Sequence, residues 1–278
     1  MNYKFSGRTS SEEKLKKIFL IAVVAVFVLL LIPMFAIARF NIPYGDDLLF
    51  GTSVGEAYRE QGGFFAAVRE AGNVVSRYYR DWQGTYAGIF LMALQPGVFG
   101  IQYYAITPFL MIGALLLSSI FLARTVSLTL LHSDKKTYLI CVFLILLLSV
   151  QFPPSAREAF FWYNGAVYYT FFHCLFLCLV SILILFRKSD RVGGRIAYGF
   201  LGGVLSFAIA GGNYATALPC GIILALNVLL WILPNQNCSA EQKNRVCGLV
   251  FSALMLLVFC GGMLVSVTAP GNAIRQAS

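Results

Sequence analysis

Ile18-Phe-Leu-Ile-Ala-Val-Val-Ala-Val-Phe-Val-Leu-Leu-Leu-Ile-Pro-Met-Phe-Ala-Ile-Ala38 runs for 21 residues without an ionisable group. A bilayer core about 30 Å thick needs about 20 apolar helical residues to cross it, so this stretch decides the fold class. A basic segment precedes it, as in a signal peptide, but the apolar part of a cleaved signal spans only about 7–15 residues. The stretch is therefore read as a retained membrane span. Working outward, six further apolar runs lie at 105–123, 138–152, 166–186, 196–210, 214–233 and 246–268, each bounded by charged, Gly or Pro residues. Residues 138–152 and 196–210 are short for a crossing.

Composition agrees with that reading. Only 12% of the 278 residues are charged and 59% are hydrophobic, against about 25% charged in soluble domains. The expectation is an all-α, multi-pass transmembrane helical bundle of about seven spans, with residues 1–278 forming a single transmembrane domain. The cysteines, among them Cys174, Cys178 and Cys238, show no zinc or disulfide spacing. Cys174 and Cys178, beside His173 in an apolar run, read as packing residues.

A net charge of +9 on a soluble chain would suggest nucleic acid. Topology accounts for it instead. With residues 1–17 as a cytoplasmic tail, one side of the membrane holds Lys4, Arg8, Lys14, Lys16, Lys17, Arg124, Lys135, Lys136, Arg187, Lys188, Arg191, Arg195, Lys243 and Arg245, 14 of the 21 basic residues. Seven of the 12 acidic residues fall on the other side. Basic cytoplasmic segments are what the positive-inside rule requires. The chain is thus expected in the cell membrane, with the lipid bilayer and not nucleic acid as partner.

The chemistry collects on the opposite, outer side. Residues 39–104 form a first outer loop too long for a connector. Within it Phe64, Phe65, Val68, Val75 and Tyr79 recur at helical spacing, with Arg69, Glu70, Asn73, Arg77 and Arg80 on another face. That pattern predicts a helix over 63–81 lying in the membrane interface. Tyr78, Tyr79, Trp82 and Tyr86 fit an interfacial aromatic belt.

The loop opens on Asn41-Ile-Pro-Tyr-Gly-Asp46-Asp47. Two adjacent carboxylates just past a span repel and lose hydration unless a cation or a raised pKa offsets the cost. One is expected to act as general base on an acceptor hydroxyl, the other to bind a divalent cation or a cationic group. A solvated Gly-Asp turn is the plain alternative. Three further outer segments carry polar groups. Arg157, Glu158, Trp162 and Asn164 lie in the second outer loop, Asn213 in the third, and Asn272 and Arg275 in the last. Guanidinium groups suit bidentate phosphate recognition. Trp162 and Tyr163 are suited to stacking on a sugar, and the asparagines to bonding hydroxyls or capping helices. His132 and His173 are the only histidines and support no histidine mechanism.

The ordered set Tyr44-Gly-Asp46-Asp47, Trp162-Tyr-Asn-Gly165, Gly211-Gly-Asn213 and Ala269-Pro-Gly-Asn272 with Arg275 resembles the integral-membrane glycosyltransferases of the GT-C type. The likeness is to a bacterial branch of multi-pass proteins, and it covers most of the chain. It implies interfacial helices in the first outer loop and a polyprenyl-phosphate-linked sugar as donor. It also implies transfer to a cell-envelope acceptor at the outer face. Asp46 or Asp47 would be the base, and Arg157 and Arg275 would hold the leaving phosphate. GT-C enzymes often have nine or more spans, so the resemblance also implies that the sequence is an amino-terminal portion, cut at Ser278. Two other functions are open to the residues alone. One is a transporter or flippase of a lipid-linked or small polar substrate, which would place ionisable groups inside the spans. The other is a non-catalytic partner in envelope assembly.

Overall fold

The computed structural model describes residues 10–189, 191–233 and 242–277, with all their side chains except those of 242–244. Lys4, Arg8, Cys238, Ser278 and the side chain of Lys243 lie outside the described residues. Among the described residues there is no strand. The chain is an all-α, multi-pass helical bundle.

Helix α1 (Ser10–Ala38) starts inside what the sequence suggests is a tail, so residues 10–17 extend the first helix rather than precede it. Only one stripe of its apolar surface is buried, marked by Val23, Phe27 and Leu31 at fourth-residue spacing. Ile18, Ile21, Val28, Leu29 and Ile32 are exposed. A surface this apolar needs lipid rather than water against it.

Among the described residues, six helical stretches are long and apolar enough to cross a membrane: Ser10–Ala38, Ile101–Leu131, Tyr163–Lys188, Val192–Ala210, Tyr214–Ile232 and Arg245–Val267. Helix α6 (Lys135–Gln151) is a seventh apolar helix of 17 residues, about 26 Å long at 1.5 Å per residue. The second and third stretches are longer than the apolar runs suggest. The second begins with a 3₁₀ segment, Ile101–Ile106, ahead of α5 (Thr107–Val126). The third joins α7 (Tyr163–Ala166) to α8 (Phe172–Lys188) through a π-helical turn.

The remaining spans are α9 (Val192–Ala210), α10 (Tyr214–Ile232) and α11 (Gln242–Val267), with α12 (Pro270–Ala277) after them. Small residues set their spacing. Gly199 lies under Phe251 and Gly202 under Met255, where an added Cβ would come within 2.6 and 2.4 Å of those side chains. Close approach at small residues is how membrane helices gain contact without a hydrophobic drive between them. Asn227 donates to Ser252 Oγ at 2.8 Å across α10 and α11, a buried polar link of the same kind.

Successive spans run antiparallel, which sorts the connections to two ends. At one end Lys16 pairs with Asp134 at 3.4 Å and Lys136 with Glu13. There too Arg245 donates to the last carbonyls of α10, Trp231 O at 2.9 Å and Ile232 O. Cations at a helix C-terminus are electrostatically favourable.

At the other end the long segment between α1 and α5 folds into three helices: α2 (Asp46–Glu60), α3 (Phe64–Asp81) and α4 (Tyr86–Ala93). They share a core of Phe50, Val54, Ala67, Ala71, Val74 and Ile89. The face of α3 that packs inward is therefore its alanine face, not the Phe64–Phe65 face that the large apolar residues mark. Phe64 and Phe65 are exposed, Phe65 by 84%. Alanine permits close packing against α2 and α4. The larger apolar residues then form a second, outward stripe, and Arg69, Asn73, Arg77 and Arg80 a third.

Candidate functional site

Gly45 sets the site. Its backbone lies at φ 56 and ψ −125, a left-handed conformation that glycine adopts without strain. The chain turns there into α2, so Asp46 and Asp47 occupy the first helical turn, where carboxylates are favoured by the exposed N–H groups. Neighbours in a helix point about 100° apart. Here that angle separates the two carboxylates completely.

Asp47 is 1% exposed. Its Oδ2 accepts from the Tyr104 hydroxyl and from the Tyr44 N–H at 3.3 Å, and its Oδ1 accepts from the Asn164 N–H at 3.2 Å. The Tyr104 hydroxyl in turn accepts from the Tyr163 N–H at 2.8 Å. Burial holds the Asp47 carboxyl above the ordinary carboxylate range, against the pull of those donors. Both oxygens are committed to protein donors. Asp46 and Asp47 thus have different surroundings: Asp47 is bonded within the fold and also lines a small cavity beside α2, while Asp46 lies at the surface. Asp47 ties the segment between α1 and α5 to the start of the Tyr163–Lys188 stretch.

Asp46 is exposed. It opens into a cleft of about 470 Å³ between α2 and α3, lined by Asp46, Leu49, Phe50, Arg77, Tyr78, Asp81 and Trp82. Arg77 and Asp81 lie one helical turn apart on α3, with Tyr78 between them and Trp82 as the C-cap. Among the described residues, no hydrogen bond or ion pair engages the side chains of Asp46, Arg77 or Asp81. Tyr78 stacks against Phe50 with ring centroids 4.4 Å apart. Burial pushes the Tyr78 hydroxyl up, Arg77 pulls it down and Asp46 pushes it up further, so both charges bear on one hydroxyl.

The other motif residues are brought to the same end of the bundle, most of them as joints. The Arg157 side chain lies 4.1 Å over the Tyr44 ring and donates from Nε to its hydroxyl, and Tyr44 also faces Trp162 at 5.8 Å. Tyr44 is two residues from Asp46. Glu158 is exposed beside Arg157. Asn164 is 2% exposed and touches the site through its backbone, while neither polar atom of its buried side chain has a partner among the described residues. Asn213 caps α10 through Thr216 N at 2.7 Å and donates to Tyr168 O. Beside it the Gly211 carbonyl accepts from Ala87 and Gly88 at the start of α4.

Asn272 accepts from Gly84 N at 3.1 Å and donates to Ser266 O and Val267 O at 2.8 and 2.9 Å. Arg275 donates to Gln83 Oε1 at 2.7 Å and sits 5.3 Å over the Trp82 ring. Asn213 and Asn272 thus spend their side chains on the fold. Arg275 stacks on Trp82 in the wall of the Asp46 cleft, and Arg157 stacks on Tyr44, two residues before Asp46 in the chain.

The cleft contains four residues that reading by periodicity places elsewhere: Arg77, Tyr78, Asp81 and Trp82 look like a polar stripe and an aromatic belt. The signal that marks them is the pairing of 77 with 81 and 78 with 82, four apart, at the helix end nearest Trp82–Gly84. Tyr86, also a belt residue by composition, instead points into the bundle and donates to Phe207 O at 2.8 Å.

A second, smaller cavity of about 210 Å³ flanks the other side of α2, lined by Pro43, Leu48, Gly51, Gly55, Val98, Ile101, Arg59 and neighbouring residues. Among the described residues, no three His, Cys, Asp or Glu side chains are grouped to hold a metal ion. No family model, curated protein or solved structure matches the chain.

Proposed function

We propose that the chain works as a glycosyltransferase of the GT-C type, moving a sugar from a polyprenyl-phosphate-linked donor to a hydroxyl of a cell-envelope acceptor. The observation that carries this reading is the Asp46 cleft: a carboxylate and a guanidinium, neither with a hydrogen bond or ion pair among the described residues, share one cleft with Phe50, Tyr78 and Trp82. Asp46 takes the proton of the acceptor hydroxyl as its oxygen bonds to the anomeric carbon. The bond from that carbon to the phosphate oxygen breaks, and its electron pair leaves with polyprenyl phosphate. Arg77 lines the cleft to meet that charge, and a planar guanidinium suits two phosphate oxygens. Arg275 and Arg157 add positive potential from behind Trp82 and Tyr44.

The smaller cavity suits an isoprenoid chain. Leu48 and Ile101 at its edge are 56% and 64% exposed, so its apolar wall continues onto the surface. Arg59 in that cavity stands 13 residues along α2 from Asp46, about 20 Å at the helical rise. That is too far to hold the leaving phosphate. The cleft end is the outer face in this reading, because the opposite end carries the basic excess.

Donor-dependent sugar transfer by the inserted protein tests it, with the Asp46→Asn variant as the control. Loss of transfer in that variant supports the base role, and undiminished transfer removes it.

A further inference from the structure

The cleft holds more than a base and a phosphate ligand, and the surplus specifies the acceptor. With Arg77 answering the donor phosphate, two carboxylates remain in the cleft lining, Asp46 from α2 and Asp81 from α3. Neither has a hydrogen bond or ion pair among the described residues. Beside them Trp82 is 41% exposed, yet its position is fixed. Arg275 backs the ring at 5.3 Å. Gln83 and Gly84, the next two residues, are held by Arg275 and Asn272. A Cβ on Gly271 would lie 2.3 Å from Trp82 N, so α12 presses directly on the turn that carries the ring. A half-exposed indole backed by Arg275, in one cleft with two carboxylates that have no partner among the described residues, is a recognition surface with two chemical demands. It needs a ligand with an aliphatic C–H face to stack, and with adjacent hydroxyl donors for acceptor-only oxygens.

We infer that the Asp46 cleft selects an uncharged, polyhydroxylated sugar ring as acceptor, stacked on Trp82 with Asp81 accepting from hydroxyls next to the one Asp46 deprotonates. This rests on the transferase reading. Asp81 is then a specificity residue, because an acidic acceptor meets like charge there. At contact distances one such pair costs several-fold in affinity even in water, and two carboxylates bring the discrimination to roughly tenfold or more. The cleft volume, about 470 Å³, lies within the roughly 300–1,000 Å³ range of small-molecule sites.

The test uses the full chain in lipid nanodiscs containing polyprenyl phosphate, so that Arg77 is occupied, and saturation-transfer NMR, with a neutral methyl hexoside and the matching methyl hexuronoside as probes. The neutral probe should bind roughly tenfold more tightly than the uronoside. Asp81→Asn should weaken the neutral probe and narrow the gap by strengthening the uronoside, which a merely structural Asp81 would not do. Trp82→Ala should abolish saturation of the ring C–H protons. Should Trp82→Ala fail to fold, the Asp81→Asn affinity ratio decides alone, since the Asp81 side chain has no partner to lose.

Equal affinity for both probes in the wild type overturns the inference, as does an unchanged ratio in Asp81→Asn. Asp46-dependent transfer to an acidic acceptor sinks the inference and leaves the transferase reading standing. Selective neutral binding with no transfer to any acceptor does the reverse.

Discussion

Asp46→Asn and Asp47→Asn change the same atoms one residue apart, and the structure gives them opposite consequences. Asp47 accepts three hydrogen bonds with two oxygens inside a buried joint. An asparagine there keeps one oxygen. If that oxygen stays with Tyr104 and Tyr44, the new NH₂ faces the Asn164 N–H, donor against donor. An unsatisfied buried donor costs about 1–3 kcal/mol, and loss of the costly buried charge offsets part of it. The expected net loss is about 0.5–2 kcal/mol of stability, with turnover per folded molecule falling less than about tenfold.

Asp46 has no bond to lose, so its variant should stay within about 0.5 kcal/mol of wild type. Removing a general base should lower its turnover by about 10²–10⁴-fold. Heating the detergent-solubilised variants and measuring surviving monomer by size exclusion, beside single-turnover sugar transfer, reads both quantities. The reasoning fails if Asp47→Asn is as thermostable as wild type, or if Asp46→Asn loses stability to the same degree.

The same joint fixes a pH dependence. Burial raises the folded pKa of Asp47 above the ordinary carboxylate range, so the folded state binds that proton more readily than the unfolded chain. Its contribution to stability is fully present below the ordinary carboxylate pKa and is lost as pH rises through the raised value. Wild type should therefore lose stability as pH rises across that window, and Asp47→Asn should lack that slope in a thermal-shift series.

Arg77→Lys keeps charge but not the planar fork, and should raise the KM for a polyprenyl-phosphate donor; an unchanged KM would return Arg77 to the surface. Gly84→Ala would put a Cβ 1.9 Å from Ser266 O. It should loosen the Trp82 turn and destabilise the protein by about 1–3 kcal/mol, measurable by the same heating assay. A reporter inserted after Lys136 should behave as cytoplasmic and one at Gly63 as external. The same location for both would dissolve the shared outer face.

The spans were legible because a long apolar run such as 18–38 has one physical meaning in a chain this poor in charge. The short run at 138–152 was legible too, since Lys135 and Lys136 mark where α6 starts. Asp46 stood out as a carboxylate beside a glycine turn, but nothing in Gly-Asp-Asp tells which carboxylate is buried. That depends on Tyr104 and Asn164, 57 and 117 residues away. Asn213 and Asn272 could be read as ligand or capping residues, because an asparagine that caps a helix and one that bonds a sugar carry the same amide; in the fold their side chains bond Thr216, Gly84 and the end of α11. Arg77, Tyr78, Asp81 and Trp82 were hidden by a correct observation. The helix is amphipathic, but its alanine face packs inward, which half-buries Tyr78 and leaves Arg77, Asp81 and Trp82 exposed in the wall of a cleft shared with α2.

Sugar transfer from a polyprenyl-phosphate-linked donor by the membrane-inserted protein, wild type against Asp46→Asn, bears most directly on the proposed function. The expected result is transfer by the wild type, reduced about 10²–10⁴-fold in the variant at unchanged thermostability. Transfer by Asp46→Asn at the wild-type rate would contradict it.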